Sequence, residues 1–425
     1  MKRDQFLKTT LAGLATAGIS FRSVDAAARE RSSWPVIDPS DEAFWAFVRT
    51  QFPLTRDRAY FNTGGLGASP YPVIDAVKAK IDELESISET GHTDQLWSNI
   101  KTTAGTFFGC DPAEIAFMRN ATEGINVVCN GLPLREGDEV ITTTHEHVAN
   151  SVPWLALQKR RRISVRFFEP SMRSAQENID RVERLLSTRT RLISVPHVTT
   201  TTGQVLPIRA FSELAKSRRV WLFVDGAQAA GMFPFSLREL GCDAYAMCGH
   251  KWLLGPKETG LLFVHKGMLD VVEAKFVGAY SDSGFDFEKG TLAFHPSAQR
   301  YEYGTVSIPL RVGLQAALEF LSRIGMSNVW KRDQQLSAYL YRQLSSMPSV
   351  RVLSPASDSE RSAMITFQHT KVPFLDVQAH LNTYKLRTRG VSEGGVNGLR
   401  ISCHIYNTFE EIDRLLEGIR SVPTG

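Results

Sequence analysis

The sequence predicts an α/β protein: a large domain on a mostly parallel seven-stranded sheet, followed by a small C-terminal α+β domain. Three observations carry this. Short apolar runs alternate with amphipathic stretches from about residue 115 to residue 264, and strands separated by helices imply βαβ units with parallel pairing. After Tyr303 the texture changes to two long helical patterns and then short mixed segments. The composition, 43% hydrophobic and 22% charged in 425 residues, is that of an ordinary globular chain with room for two domains. It excludes a disordered, collagen-like or disulfide-stapled protein.

The chain opens on Lys2, Arg3 and Lys8, an uncharged stretch at 9–21, and the run Val24-Asp25-Ala26-Ala27-Ala28. Basic, apolar and small-residue regions in that order mark an export signal over 1–28, which places the mature chain in the periplasm or otherwise outside the inner membrane. The alternative is a frayed N-terminal helix of a cytoplasmic enzyme. KRDQFLK resembles the twin-arginine pattern, with Lys2 in place of the first arginine and one extra residue before Phe6. Removing 1–28, with its four basic and two acidic residues, lowers the net charge from +4 to +2.

The large domain is expected over 29–310, with an N-terminal arm at 29–70. Its strands fall at 115–119, 139–143, 164–168, 192–195, 220–224, 244–247 and 261–264. Helical patterns lie between them at 124–130, 151–159, 180–187 and 210–218. The small domain, 311–425, takes helices over 308–324 and 329–346, then short segments at 350–353, 363–367, 377–384 and 399–403. A last helix starts at Phe409, where Thr408 and Glu411 form a capping box.

The net charge and the short run Lys159-Arg160-Arg161-Arg162 give no nucleic-acid footprint. Five cysteines, Cys110, Cys129, Cys242, Cys248 and Cys403, lack metal-ligand spacing, so neither a metal site nor a disulfide framework is expected. No run of 18 apolar residues is present, so no ordinary helix spans a membrane.

Four loops at strand ends hold the unusual residues, and ligands of open α/β sheets bind at such ends. FVDGAQAAG places Asp225 after an apolar strand, either as a partner for a protonated ring nitrogen or as a cap for the turn at Gly226. AMCGHKWLLGP sets Lys251 against Trp252, Leu253 and Leu254, an apolar wall that lowers an amine's pKa. RNATEGIN opens a helix at Thr122 and Gly124, whose unpaired N–H groups form a phosphate cradle. HEHVANSVPW places His147 to cover a flat ring. Each is commonplace alone: a surface lysine, a turn aspartate, an ordinary helix start, a loop histidine. Together they ask for an aldehyde, a protonatable aromatic nitrogen, a ring face and a phosphate, which is pyridoxal 5'-phosphate (PLP).

RNATEGINVV, EHVANSVPW, FVDGAQAAG, GHKWLLGPKETGLL and LRISCHIYNTFEEIDRL resemble the PLP-dependent class V aminotransferase family, from about Tyr60 to the last helix. The branch is similar to cysteine desulfurases and isopenicillin N epimerase-like proteins. The resemblance implies the PLP-dependent transferase fold type I. Lys251 would form the Schiff base, Asp225 bind the pyridine nitrogen, His147 stack on the ring and Gln228 bond its hydroxyl. Ala121, Thr122 and His250 would bind the phosphate, together with Cys248 where the family often has Ser. Thr200 stands where desulfurases have Asn near the ring hydroxyl. Thr305 in YEYGT falls in the segment that a neighbouring subunit contributes, which implies a homodimer. Asn62 and Arg389 would bind the substrate, Arg389 at the position of the α-carboxylate arginine. The other reading of Arg389 is a surface residue on one strand with Arg387, and Arg400 reads as a structural ion-pair partner.

Desulfurases carry a nucleophilic cysteine on a loop after that arginine, whereas 391–398 holds Ser392 and Glu393 but no cysteine. Cys403 lies within an expected strand, as a buried inert thiol. The expectation is therefore a PLP enzyme acting at Cα or Cβ of an amino acid or similar amine, as an epimerase or a C–S lyase. Transamination is the alternative, then cysteine desulfuration. The non-enzyme alternative, a PLP-fold binding protein without catalysis, sits poorly with Lys251, Asp225, His147 and Gln228 all present. A nicotinamide dehydrogenase fails because no G-x-G-x-x-G follows a strand.

Overall fold

A computed structural model describes residues 34–423, and the export segment expected at 1–28 lies outside them. The large sheet holds β1 (Ile115–Met118), β2 (Glu139–Thr143), β3 (Ser164–Phe168), β4 (Thr190–Pro196), β5 (Trp221–Asp225), β6 (Ala244–Cys248) and β7 (Gly260–Val264). They lie in the order β1-β7-β6-β5-β4-β2-β3. From β6 to β3 every pairing is parallel, whereas β7 is antiparallel to both neighbours. The reason is length. A parallel crossover needs a connection of about a dozen residues or more, and the turn 249–259 is shorter and holds no helix. That turn carries Lys251.

Every residue of β1, β6 and β7 is buried, as expected of strands covered on both faces. Crossover helices do the covering: α1 (Ala121–Gly131), α2 (Val148–Arg161), α3 (Ala175–Leu185) and α4 (Ile208–Arg218). The first three begin three to five residues before their apolar patterns. Their first turns are polar and are set by caps: the side chains of Asn120, His147 and Ser174 accept N–H groups of Glu123, Ala149 and Glu177.

Two helices with weak sequence signals, Tyr71–Ile87 and Asp94–Phe108, pack against Ile308–Ile324. A buried ion pair fixes the second of them. Lys101 Nζ lies 2.8 Å from Glu302 Oε1, and Glu302 also accepts the Phe117 N–H at 2.9 Å and the Trp97 indole N–H. Such a pair is tolerated because the carboxylate's remaining hydrogen-bonding capacity is met.

A second sheet, β8 (Val350–Val352), β9 (Met364–His369), β10 (Arg389–Val391) and β11 (Gly398–Ser402), is antiparallel in the order β8-β9-β11-β10. Helices Met326–Ser345, Phe374–Thr383 and Phe409–Arg420 bury Leu336, Leu381 and Leu416 in a core with its strands Ile365 and Ile401. From Trp45 onward the chain is one compact unit. Arg387 and Arg389 do not share a strand, contrary to expectation. Leu386–Arg387 pairs in parallel with Ala59–Tyr60, and Arg389 pairs with Arg400 in β11.

The capping box is present. Thr408 Oγ1 accepts the Glu411 N–H at 3.2 Å, and Glu411 Oε2 accepts the Thr408 N–H at 3.4 Å. Thr408→Ala is expected to destabilise the protein by about 1 kcal/mol, read as a lower urea midpoint with an unchanged slope.

Candidate active site

The C-terminal ends of β1, β2, β4, β5 and β6 bring the expected loops to one edge of the sheet. Asp225 ends β5 and is buried, with Oδ1 accepting the Ala227 N–H at 2.9 Å. Burial pushes its carboxyl above the ordinary range, and the Ala227 donor and the Lys251 charge oppose that shift. Lys251 follows β6 by three residues and is 9% exposed. Its turn is pinned from the N-terminal side. Gly67 donates its N–H to the His250 carbonyl at 2.8 Å, and a Cβ on Gly67 would lie 1.9 Å from the Lys251 carbonyl oxygen.

Gln228 was expected at the ring hydroxyl. Its Nε2 donates to the Gly64 carbonyl at 2.9 Å and its Oε1 accepts the Trp252 indole N–H at 3.0 Å. It therefore links the Asp225 turn, the Gly64 loop and the lysine turn.

His147 caps α2, with Nδ1 accepting the Ala149 N–H at 3.2 Å. Burial, with the charges of Lys251 and Arg389, lowers its pKa to about 4, so it presents an uncharged ring with its hydrogen on Nε2. Glu146, beside it, drew no attention in the sequence. It is buried, with Oε1 accepting from Asn150 Nδ2 at 2.7 Å and Oε2 unpartnered among the described residues. Burial and the nearby Asp225 push its carboxyl well up.

At the start of α1, the Ala121 N–H is directed at Cys248, and burial pushes that thiol up. Thr122 is exposed on the same turn. His250 Nδ1 is buried and has no partner among the described residues. Thr305 is exposed and lines a cavity of about 150 Å³ with Arg119, Glu123, Tyr303 and Arg311.

The two arginines depart from expectation. Arg389 forms an ion pair with Glu393, four residues on. Arg400 is fully buried and, among the described residues, has no carboxylate at ion-pair distance, which corrects its reading as an ion-pair partner. Its Nη1 donates to the Thr200 carbonyl at 2.7 Å and to Thr200 Oγ1 at 3.0 Å, while Nε and Nη2 have no partner. Thr200 is thus occupied by Arg400. Burial and the charge of Arg389 lower the guanidinium pKa to about 9, which leaves it charged at neutral pH. Asn62 lies beside the same strand, bridged to Ser402, with Oδ1 buried and unpartnered.

These orphaned polar atoms fit PLP and an amino acid better than they fit a closed core, since a buried unmet donor or acceptor costs stability. His250 Nδ1 suits a phosphate and the open edge of Arg400 a carboxylate, while the buried Asp225 carboxyl, partnered by Ala227, suits a pyridine nitrogen. Among the described residues no cluster of metal-ligating side chains occurs. Gly67→Ala forces a side chain into the Lys251 backbone and is expected to weaken PLP retention roughly tenfold or more, about 1.4 kcal/mol. Equilibrium dialysis followed by visible absorbance measures it.

Residues 72–415 match the aminotransferase class-V family. The cysteine desulfurase of Salmonella typhimurium is 30% identical over 400 residues, covering 88% of this chain and 97% of that one. The cystine C-S lyase C-DES, solved with its product cysteine persulfide, is 29% identical with a TM-score of 0.80 over 88% of this chain and 100% of that one. A C-DES variant with glycine covalently linked to its PLP gives 28% identity and a TM-score of 0.81, covering 88% of this chain and 99% of that one. The Escherichia coli cysteine desulfurase CsdA shares the fold, at 24% identity and a TM-score of 0.80 over 91% and 99% of the two chains. The orphaned atoms and the lysine turn thus lie in a chain that belongs to the aminotransferase class V family, a PLP-dependent enzyme of fold type I.

Proposed function

We propose that this enzyme cleaves a Cβ–S bond of a sulfur-bearing amino acid, as a C–S lyase that uses no thiol of its own. The observation that carries the reading is the state of the cysteines. All five are buried and free. Burial pushes Cys110 and Cys129 up to about 12 and raises Cys242, Cys248 and Cys403 as well. A nucleophilic sulfur must be an accessible thiolate. The segment where desulfurases carry theirs instead holds Glu393, paired with Arg389 just before it.

PLP, when bound, supplies the electron sink that makes the α-proton acidic. Asp225 would hold the ring nitrogen in its protonated form, and neutral His147 would cover a ring face without adding charge. Arg400 takes the substrate carboxylate, because its Nε and Nη2 donors are open, and Asn62 lies beside it with an open Oδ1 that accepts from a donor on the substrate. Lys251, which would hold PLP through its aldehyde, would serve as the base for the α-proton. The sulfur then departs with the electron pair of the Cβ–S bond, on a group that belongs to the substrate.

Epimerisation is the second reading. It is favoured by the segments around Lys251 and His404, GHKWLLGPK and CHIYN, which resemble isopenicillin N epimerase-like proteins. We further propose that the enzyme works as a homodimer with Thr305 of each copy at the other's phosphate site, and that residues 1–28 direct export.

Two experiments test these readings. Incubation with L- and D-amino acids, including S-substituted cysteines, is expected to yield keto acid and the released sulfur compound without inversion. Each Cys→Ser variant should keep activity within roughly twofold, apart from local effects at Cys248. Chiral product alone would install the epimerase, and one cysteine whose loss abolishes sulfur release would restore the desulfurase. N-terminal sequencing of cell fractions should find a mature chain starting near Ala27 or Arg29 outside the inner membrane. An intact Met1 in the cytoplasm removes the export signal.

A further inference from the structure

Against Trp252, the residue after Lys251, lies a polar pair that the reaction above does not use. His404 and Asp333 are both fully buried, with His404 Nδ1 2.8 Å from Asp333 Oδ2. The other ring nitrogen, Nε2, lies 3.2 Å from the backbone carbonyl of Trp252, the residue after Lys251. A carbonyl oxygen can only accept, so Nε2 carries a hydrogen, and a second proton lies between Nδ1 and the carboxylate. The Trp252 indole also packs edge-on against the His404 ring at 5.2 Å and donates to Gln228 at 3.0 Å.

The chain connectivity gives this contact its meaning. His404 lies two residues beyond β11, which carries Arg400. Asp333 comes from helix Met326–Ser345, packed beneath the second sheet. The lysine turn belongs to the large sheet. A buried polar pair is costly unless fully met, yet this one leaves Asp333 Oδ1 without a partner among the described residues. A core that needed only packing would be served better by apolar groups at these positions.

We propose that His404, backed by Asp333, is a positioning residue for Lys251: through the Trp252 carbonyl it ties the lysine turn to the strand of Arg400, so that the amine and the carboxylate site keep a fixed separation. The proposal rests on the roles assigned above to Lys251 and Arg400. A substrate held at both ends gains from that fixed separation, whereas an amine without a carboxylate is indifferent to it.

Glycine and methylamine form the matched probes, since they differ only by the carboxylate. Each is titrated into the PLP-loaded enzyme and followed by the cofactor's visible absorbance. In His404→Phe, which keeps ring volume and loses both hydrogen bonds, the preference for glycine over methylamine is expected to fall about tenfold or more. In His404→Gln, whose amide can still donate to the Trp252 carbonyl, the preference is expected to stay within about twofold. The double variant Asp333→Leu with His404→Phe removes the orphaned carboxylate and carries the same comparison if the single variant does not fold. An unchanged preference, equal weakening of both probes, or an equal fall in His404→Gln overturns the proposal. A wild-type enzyme that responds to neither amine removes the Lys251 assignment itself, and the proposal with it.

Discussion

Two stretches of backbone meet without a side chain between them where Gly67 lies on the Lys251 carbonyl, and the catalytic edge of the protein is arranged around that contact. The N–H of Gly67 bonds the residue before the lysine, Gln228 bonds Gly64 on the same loop, and Trp252 bonds Gln228. The lysine turn is therefore braced on both sides of Lys251 by neutral hydrogen bonds, and Gln228 joins the two braces. Little of this rigidity depends on charge, which suits a site whose own charges change as substrate binds and leaves.

The parallel sheet was legible because β-branched and aromatic residues recur in runs of about five, bounded by turn residues. Strands β2 and β3 begin and end where the sequence places them, at 139–143 and 164–168. Helix starts were less legible because caps rather than apolar periodicity set them: Thr122 and Val148 are exposed on first turns that no hydrophobic pattern marks. Helices Tyr71–Ile87 and Asp94–Phe108 were hidden for a related reason. The first buries little, Val73 and Leu84, and the buried stripe of the second is interrupted by Lys101, whose charge is met by Glu302, far along the chain.

In the candidate site, the sequence shows what strand ends display and hides what packing decides. Asp225, Lys251, His147 and His250 are recognisable from the segments around them. Arg389 and Arg400 are not separable that way, since each is an arginine in a short strand of the second sheet. Glu393 four residues after Arg389 was the available signal, because a turn can bring such a pair together. The pair closes one guanidinium and leaves the buried one open. Glu146 gave no signal, because a carboxyl beside two histidines reads as a solvated loop until the fold encloses it.

The placement of β7 has a consequence for how the chain reaches this state. Among the described residues β1 pairs only with β7, so Ile115 waits for Phe263 before either edge is satisfied. Contacts so distant in sequence are slow to form, and until they do an apolar strand stays open to wrong partners. The lysine turn lies inside that last closure, between β6 and β7. Sheet completion and assembly of the cofactor site are therefore one event, and a nascent chain has no preformed pocket to offer before residue 264 has been made.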